Sequence, residues 1–548
     1  MRIILLFLVS FSSIAFGQVS IDAGIFDSIL GKSPNELTPG YTAVIIHKGQ
    51  EVYRSHSGYA NLGKKVLIDD QTQFDVGSIG KQFTATCILL LEEQGKLKLD
   101  DDIKMYLPDF PKIRTTITIN HLLGHASGIR SYLSLLELQH KLRSKFLTKE
   151  KFWEDLKKQE DLSYYPRDAF SYNNTGYVLL AEIVSKVSGQ SFVDFAQENI
   201  FKPLGMTNTK FFDEKLKKQS TDSYCYNWNS QKRKASKVYN PKETVGDGNL
   251  WTTVDDLIKW DQNFEKNKLG KGKLEFFNSM EVPYRLSSGR SSFYGKGVNV
   301  KDHAGIKLID HGGNWDSYFT QYSRFPLFEL SIIICSNSNK NDPRHMAAVL
   351  SSYIFKDVPK LGSSFNSAKS NVPLKNFEGH YLDVHTKSAV RKIVSTEDEL
   401  YFIVPTPFGE IDYQLNNPVY FSKNEIEFTA SQGGKIVFTM KDDYPLRYHW
   451  LDSPGEFRLL ANLEHQTAAD SLYLGKYQNS ELDLKIKVKS GKEQSELKLK
   501  FGLFNSKNVI RLTKNFYWIA KENLVFEFTD KSLFLHADRA SNIKFRKK

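Results

Sequence analysis

The chain has 548 residues, 40% of them apolar and 25% charged, the composition of an ordinary folded protein. At about 150 residues per domain this length suits three to four domains and excludes a small disulfide-stapled scaffold, while 13% aromatic residues exclude intrinsic disorder. A formal charge of +11 raises the question of a nucleic-acid partner, and the first segment answers it.

Met1-Arg2 precede an apolar stretch from Ile3 to Ala15, which closes on Ala15-Phe16-Gly17. This pattern reads as a secretory signal over residues 1–17, cut before Gln18. The apolar run is too short to span a bilayer, no stop-transfer charges follow it, and no later stretch is long and apolar enough to span. The mature chain is therefore expected to be exported, periplasmic or extracellular, and to meet no nucleic acid. Cys87, Cys225 and Cys335 form no CxxC pair, so neither a disulfide framework nor a structural zinc site is expected.

Tyr41 to Ile46 is rich in β-branched residues, His47 to Gln50 turns, and Glu51 to Arg54 returns, which predicts a hairpin. Residues 78–95 predict a helix that is apolar almost all round at Cys87 to Leu91, hence buried. Helical patterns alternate with loops to about residue 265. Leu308-Ile309, Tyr318 to Tyr322 and Leu330 to Cys335 then read as strands. Strands at both ends with helices between predict an α/β sandwich with a helical insertion over 18–356. Residues 357–375, rich in Ser, Pro, Gly and Lys, form a linker.

Beyond the linker the pattern changes to short alternating strands, such as Val390 to Val394, Leu400 to Val404, Glu425 to Thr429 and Lys435 to Met440. Phe377-Glu-Gly379-His-Tyr381 resembles Tyr473-Leu-Gly475-Lys-Tyr477, and each opens a run of strands. The repeat predicts two small all-β barrel-like domains, at 376–463 and 470–548, with one larger β-domain as the alternative.

Three motifs carry chemistry. Ser78 and Lys81 stand three residues apart at the start of the apolar helix, on one face. A lysine held against apolar neighbours has a lowered pKa and can take the serine proton. Tyr172-Asn173-Asn174 pairs a phenol, which can relay a proton, with an amide that can bind both the lysine and a substrate amide. His311-Gly312-Gly313 follows the strand Lys307 to Asp310. Its glycines let a backbone pass close to a ligand, where an N–H can complete an oxyanion hole with that of Ser78. The alternative for this run is a plain glycine turn.

In this order the motifs resemble those of the serine β-lactamase and penicillin-binding family, in its class C, D-aminopeptidase and esterase branch. Supporting stretches are Phe74 to Ala85, Gly95 to Asp100, Tyr106-Leu-Pro-Asp109, Ile117 to Gly128 and Pro203-Leu-Gly-Met206, and the likeness covers most of 36–340. The resemblance implies a serine β-lactamase-like sandwich and a serine hydrolase working through an acyl-enzyme, with no metal or cofactor. Ser78 is then the nucleophile, Lys81 its base and Tyr172 the partner base that also activates the deacylating water. Asn174 binds the substrate amide, and His311, ahead of Gly313, fills the place of the family's third-motif lysine. The N–H groups of Ser78 and Asn314 form the oxyanion hole.

Two departures bear on the substrate. A neutral His311 holds a carboxylate less strongly than lysine, which favours D-amino peptides, amides or esters. Trp315 stands where small residues are commoner, so it narrows the cleft or stacks on the substrate. Other features are read more plainly. His121 and His125 have the spacing of a zinc pair, but Leu122 replaces the needed glutamate, so they are structural. The basic run Gln231 to Lys237 is a solvated loop, with an anionic envelope polymer as the alternative partner. Gly246 to Asn249 is a turn that lines the cleft before a helix over Val254 to Phe264. A second functional reading keeps the catalytic fold only as a scaffold for an envelope-binding protein with working β-domains.

Overall fold

The computed structural model describes residues 19–31, 36–139, 147–212, 223–239, 242–303, 306–358 and, with breaks at several loops, 372–547. The leader segment 1–17 and most of the 357–375 linker lie outside the described residues.

Strands β1 (Tyr41–His47) and β2 (Gln50–Ser57) form the expected hairpin. The turn is tighter than its sequence suggests: His47 already pairs with Gln50. Lys48 and Gly49 both take positive φ, 53° and 70°, the backbone that matches the twist of paired strands. Four later strands complete the sheet: β3 (Asn299–His303), β4 (Ile306–Trp315), β5 (Tyr318–Phe325) and β6 (Leu330–Ser336). The order is β3-β4-β5-β6-β1-β2, antiparallel throughout.

Strand β1 lies inside the sheet, between β6 and β2, and its alternating side chains are buried on both faces. Ala43 and Ile45 join a layer containing Phe26 of helix α1 (Ala23–Leu30). Val44 and Ile46 join the helical insertion, with residues of α2 (Gly80–Glu93), α3 (Asn174–Ser188) and α4 (Val254–Asn263). The C-terminal helix α5 (Pro343–Ile354) covers the first face beside α1, through Leu350 and Ile354. Each fully buried leucine or isoleucine in these layers contributes about 1.5–3 kcal/mol, so burial on both faces of the sheet holds the helices against it.

The tail closes into two separate eight-stranded antiparallel barrels, Gly379 to Leu459 and Gly475 to Lys547. Closure leaves no strand edge to pair with other chains. The internal likeness is structural: the Tyr381 hydroxyl donates to the Phe377 carbonyl at 2.8 Å, and that of Tyr477 to the Tyr473 carbonyl at 2.9 Å. All three cysteines are free and buried. The basic run Gln231 to Lys237 lies on a small hairpin of strands Cys225–Asn229 and Lys234–Val238, where Arg233 pairs with Glu36. No helix among the described residues is long and apolar enough to cross a membrane.

Candidate active site

Ser78 sits in a single 3-10 turn, Gly77–Ile79, that leads into α2. Gly77 makes the turn with a φ of 50°, and Asp75 Oδ1 accepts its N–H at 2.9 Å. Burial pushes the Asp75 carboxyl up to about 7, against the pull of that N–H.

Strand β4 runs tightly past this turn. A Cβ on Gly313 would lie 1.9 Å from the Val76 carbonyl oxygen, and one on Gly77 would lie 2.7 Å from the Asn314 nitrogen. The His311-Gly312-Gly313 run is therefore not a turn after the strand. The strand continues through it to Trp315, paired with β5, while β3 stops at the level of Asp310. Beyond Asp310 one edge of β4 is left to the Ser78 turn.

Lys81, in the first turn of α2, is 0% exposed. Its Nζ lies 3.1 Å from Ser78 Oγ and 2.8 Å from Asn174 Oδ1, and it donates to the Asp247 carbonyl. Burial drives its pKa well below the ordinary lysine value, opposed by the Asp247 charge and reinforced by Lys242 and Arg539. Asn174 comes from the first turn of α3, which Asn173 caps by accepting the Gly176 N–H at 3.1 Å. The preceding Tyr172 places its ring centroid 4.9 Å from Lys81 Nζ. Its hydroxyl is buried without a hydrogen bond of standard geometry among the described residues. Burial raises its pKa, partly offset by the nearby Ser78 hydroxyl and the Arg539 charge.

Around Tyr172 stands a cluster of rings that motif spacing does not single out. The His125 ring lies 4.3 Å from that of Tyr172 and 4.5 Å from that of Tyr294, and its Nδ1 accepts the Asn173 N–H. Burial and the Lys81 charge hold its pKa well below 6.5. His121 serves elsewhere: it closes a capping box with Thr118. Both histidines thus accept backbone N–H groups, but His125 also walls the site.

His311 is buried and uncharged. Its Nδ1 lies 2.7 Å from the Gly312 carbonyl and its Nε2 3.0 Å from the Tyr294 hydroxyl. Nδ1 therefore carries the proton and Nε2 accepts from the tyrosine. Burial first, then Lys81, lowers its pKa to about 4.

The Gly246 to Asn249 turn does more than line the cleft. Its Asp247 carbonyl holds Lys81, and its carboxylate binds Lys242 Nζ at 2.7 Å and the Tyr132 hydroxyl at 2.8 Å. The Trp315 ring packs over this pair, 4.8 Å from Lys242 Nζ. Ser78, Lys81, Tyr172 and Asn174 thus converge, Gly313 and Asn314 lie against the serine turn, His311 flanks Tyr172, and Trp315 covers the buried ion pair. Lys242 and Asp247 are separated from the three motifs in sequence, so spacing alone does not reveal them. Among the described residues no cluster of His, Cys, Asp and Glu is placed to hold a metal.

The family model described as Beta-lactamase matches residues 29–351. The chain is 28% identical over 423 residues to penicillin-binding protein 4* of Bacillus subtilis (strain 168), covering 73% of this chain and 90% of that protein. It is 25% identical over 451 residues to the D-aminopeptidase of Gluconobacter oxydans (strain 621H), covering 81% and 80%. Its fold is similar to that of the octameric penicillin-binding protein homologue from Pyrococcus abyssi, with a TM-score of 0.53 at 24% identity over 79% of this chain and 97% of the other. It is also similar to EstCE1, a hydrolase with promiscuous acyltransferase activity, with a TM-score of 0.50 at 20% identity over 60% and 97%. With its serine and lysine at the heart of the matched region, the chain belongs to the β-lactamase family and is a serine hydrolase.

Proposed function

We propose that the protein is an exported hydrolase that cleaves amide or ester bonds through an acyl-enzyme on Ser78. Its substrates in this reading are D-amino-acid-containing peptides or small esters and amides. The observation that carries it is the buried Lys81 Nζ 3.1 Å from Ser78 Oγ.

A buried lysine favours its neutral form, which accepts a proton. Lys81 takes the Ser78 proton as Oγ attacks the carbonyl carbon. The N–H groups of Ser78 and Asn314 hold the oxyanion, and the Asn174 amide binds the substrate amide. Tyr172, whose raised pKa keeps it a phenol at neutral pH, donates to the departing nitrogen or oxygen. As the phenolate it then takes a proton from the water that cleaves the acyl-enzyme, while Lys81 returns its proton to the departing Ser78 Oγ. The leader read at residues 1–17 supports a periplasmic or extracellular location, where the barrels can meet envelope polymer.

Incubation with a fluorophosphonate and, separately, a penicillin, followed by mass spectrometry of the peptides, tests the reading. An adduct on Ser78 and loss of hydrolysis in Ser78→Ala are expected. No adduct with either probe, together with unchanged hydrolysis in Ser78→Ala, would overturn the acyl-enzyme reading; no adduct and no hydrolysis by the wild-type protein would favour the scaffold reading of an envelope-binding protein.

A further inference from the structure

The second barrel opens with strands Gly475–Asn479, Leu484–Ser490 and Leu497–Phe501, whose residues alternate between its two faces. Tyr477, Ile486, Val488, Leu497 and Leu499 join the barrel core. The outward positions between them hold lysine, Gln478 apart. Lys487 faces Lys476 on one side and Lys500 on the other, and Lys489 faces Lys498. Lys498 is half-buried and the rest are exposed. Like charges directly opposite each other weaken a strand pair. None of the three strands contains Asp or Glu. Among the described residues none of these lysines makes an ion pair or a side-chain hydrogen bond.

The barrel fold does not require this charge, because the first barrel has the same register without it. Gly379 pairs with Ile393 as Gly475 pairs with Val488, and Ile393 pairs with Phe402 as Val488 pairs with Leu499. His380, Lys392 and Ile403 therefore stand where Lys476, Lys487 and Lys500 stand. Val394 and Tyr401 replace Lys489 and Lys498. That face of the first barrel is partly covered. Leu382 and Val390, the counterparts of Gln478 and Lys485, pack with Trp518 and Val525 of the second barrel. The His380 ring lies 5.7 Å from that of Trp518. One face of the repeat is thus a docking face in the first barrel and an open, lysine-bearing face in the second.

The chemistry of the open face selects its partner. Neighbouring strands lie about 4.8 Å apart, and alternate residues of one strand about 6.7 Å apart. Both spacings are shorter than the screening length of about 8 Å at physiological salt, so the charges act together. A second copy presenting the same face is repelled. A protein partner needs an apolar centre to its interface, a bilayer surface is gripped by inserted apolar side chains, and single-stranded nucleic acid is held by stacked aromatic rings. The outward positions supply none of these. A flexible, solvated chain with repeated negative charges needs only the lysines, whose ammonium groups on long stems meet it as point charges.

We propose that this face of the second barrel binds a linear acidic polysaccharide and tethers the hydrolase domain to it. The inference does not depend on the acyl-enzyme reading, since no residue of the catalytic cleft takes part.

Biolayer interferometry on the full-length protein gives the test. The probes are polygalacturonate, which carries carboxylates, phosphomannan, which carries phosphates, and neutral dextran. At least one acidic polymer should bind about tenfold or more tighter than dextran, and should weaken about tenfold or more between about 50 and 200 mM salt. Lys485→Gln, Lys487→Gln and Lys489→Gln combined should lower that affinity by about tenfold or more, while arginine at the same positions should retain it. Lys232→Gln, Lys234→Gln and Lys237→Gln combined remove the same charge from the exposed hairpin, and should change the affinity by less than about twofold. Circular dichroism checks that each variant is folded. Equal binding of acidic and neutral polymers, or an equal loss in the hairpin variant, overturns the proposal. Tighter binding of phosphatidylglycerol vesicles or of duplex DNA than of either acidic polysaccharide overturns it as well.

Discussion

Lys242 Nζ lies 2.7 Å from Asp247 Oδ1, with side chains only 3% and 2% exposed. A buried ion pair endures when further contacts offset the loss of water around both charges. Here the Tyr132 hydroxyl binds the second carboxylate oxygen and the Trp315 ring covers the ammonium. The pair fixes residue 247, whose carbonyl accepts a hydrogen bond from Lys81.

Asp247→Asn leaves the Lys242 charge buried without its anion and should cost about 3–5 kcal/mol of stability, read by urea denaturation. The same change removes the negative charge that raises the Lys81 pKa. The acidic limb of kcat/KM against pH should therefore move to lower pH. An unshifted limb would show that Asp247 acts on Lys81 through geometry alone. Asp247→Leu combined with Lys242→Met should recover part of the lost stability.

Lys81→Arg keeps a cation but cannot supply a neutral nitrogen at any working pH. Labelling of Ser78 by a fluorophosphonate should slow by about 10²–10⁴, the range for losing a positioned general base. A change of less than threefold would remove Lys81 from the role of base.

Glycine at 313 has a steric cause that glycine at 312 lacks. Gly313→Ala drives a methyl against the Val76 carbonyl oxygen and should push β4 away from the Ser78 turn. A loss of about 1–3 kcal/mol is expected, with at least a tenfold fall in kcat/KM. At Gly312 the nearest atom to a new Cβ is Gln321 Oε1 at 3.3 Å, the end of a flexible side chain. Gly312→Ala should therefore be tolerated, and equal effects at both positions would contradict the packing described.

The buried, neutral His311 gives a stability signature in acid. Its folded pKa of about 4 lies below the unfolded value of 6.5, so between these values the unfolded chain binds a proton that the folded chain refuses. Stability should fall as pH drops from 6.5 toward 4, by up to about 3 kcal/mol for this group. In His311→Gln, which does not titrate, the fall should be smaller by that amount, as read by urea midpoints at pH 7, 5.5 and 4.5. Identical slopes in both proteins would contradict a buried neutral ring.

Arg130→Met removes two charge-assisted donations to barrel carbonyls. About 3 kcal/mol of stability should be lost, with faster proteolysis at the junction between hydrolase domain and second barrel. Unchanged proteolysis would mean that the other backbone contacts suffice.

How much of this was legible in one dimension depended on how far apart the partners stand. Ser78 and Lys81 meet because a single helical turn joins them, and the β1–β2 hairpin follows from a local pattern about a short turn. The Phe377 and Tyr473 repeats mark two barrels because each Tyr hydroxyl binds a carbonyl four residues earlier. The glycines after Asp310 were harder to read, since only contact with Val76 distinguishes a strand passing the serine from an ordinary turn.

Sequence alone determined the fold class, the three motifs and the pairing of Ser78 with Lys81 on one helical turn, because covalent neighbours and periodic patterns dictate them. Tertiary structure decided the charges. Burial, a property of packing, holds His311 neutral and lowers Lys81, and chain folding brings Lys242 to Asp247 and Arg539 across 367 residues to Tyr172.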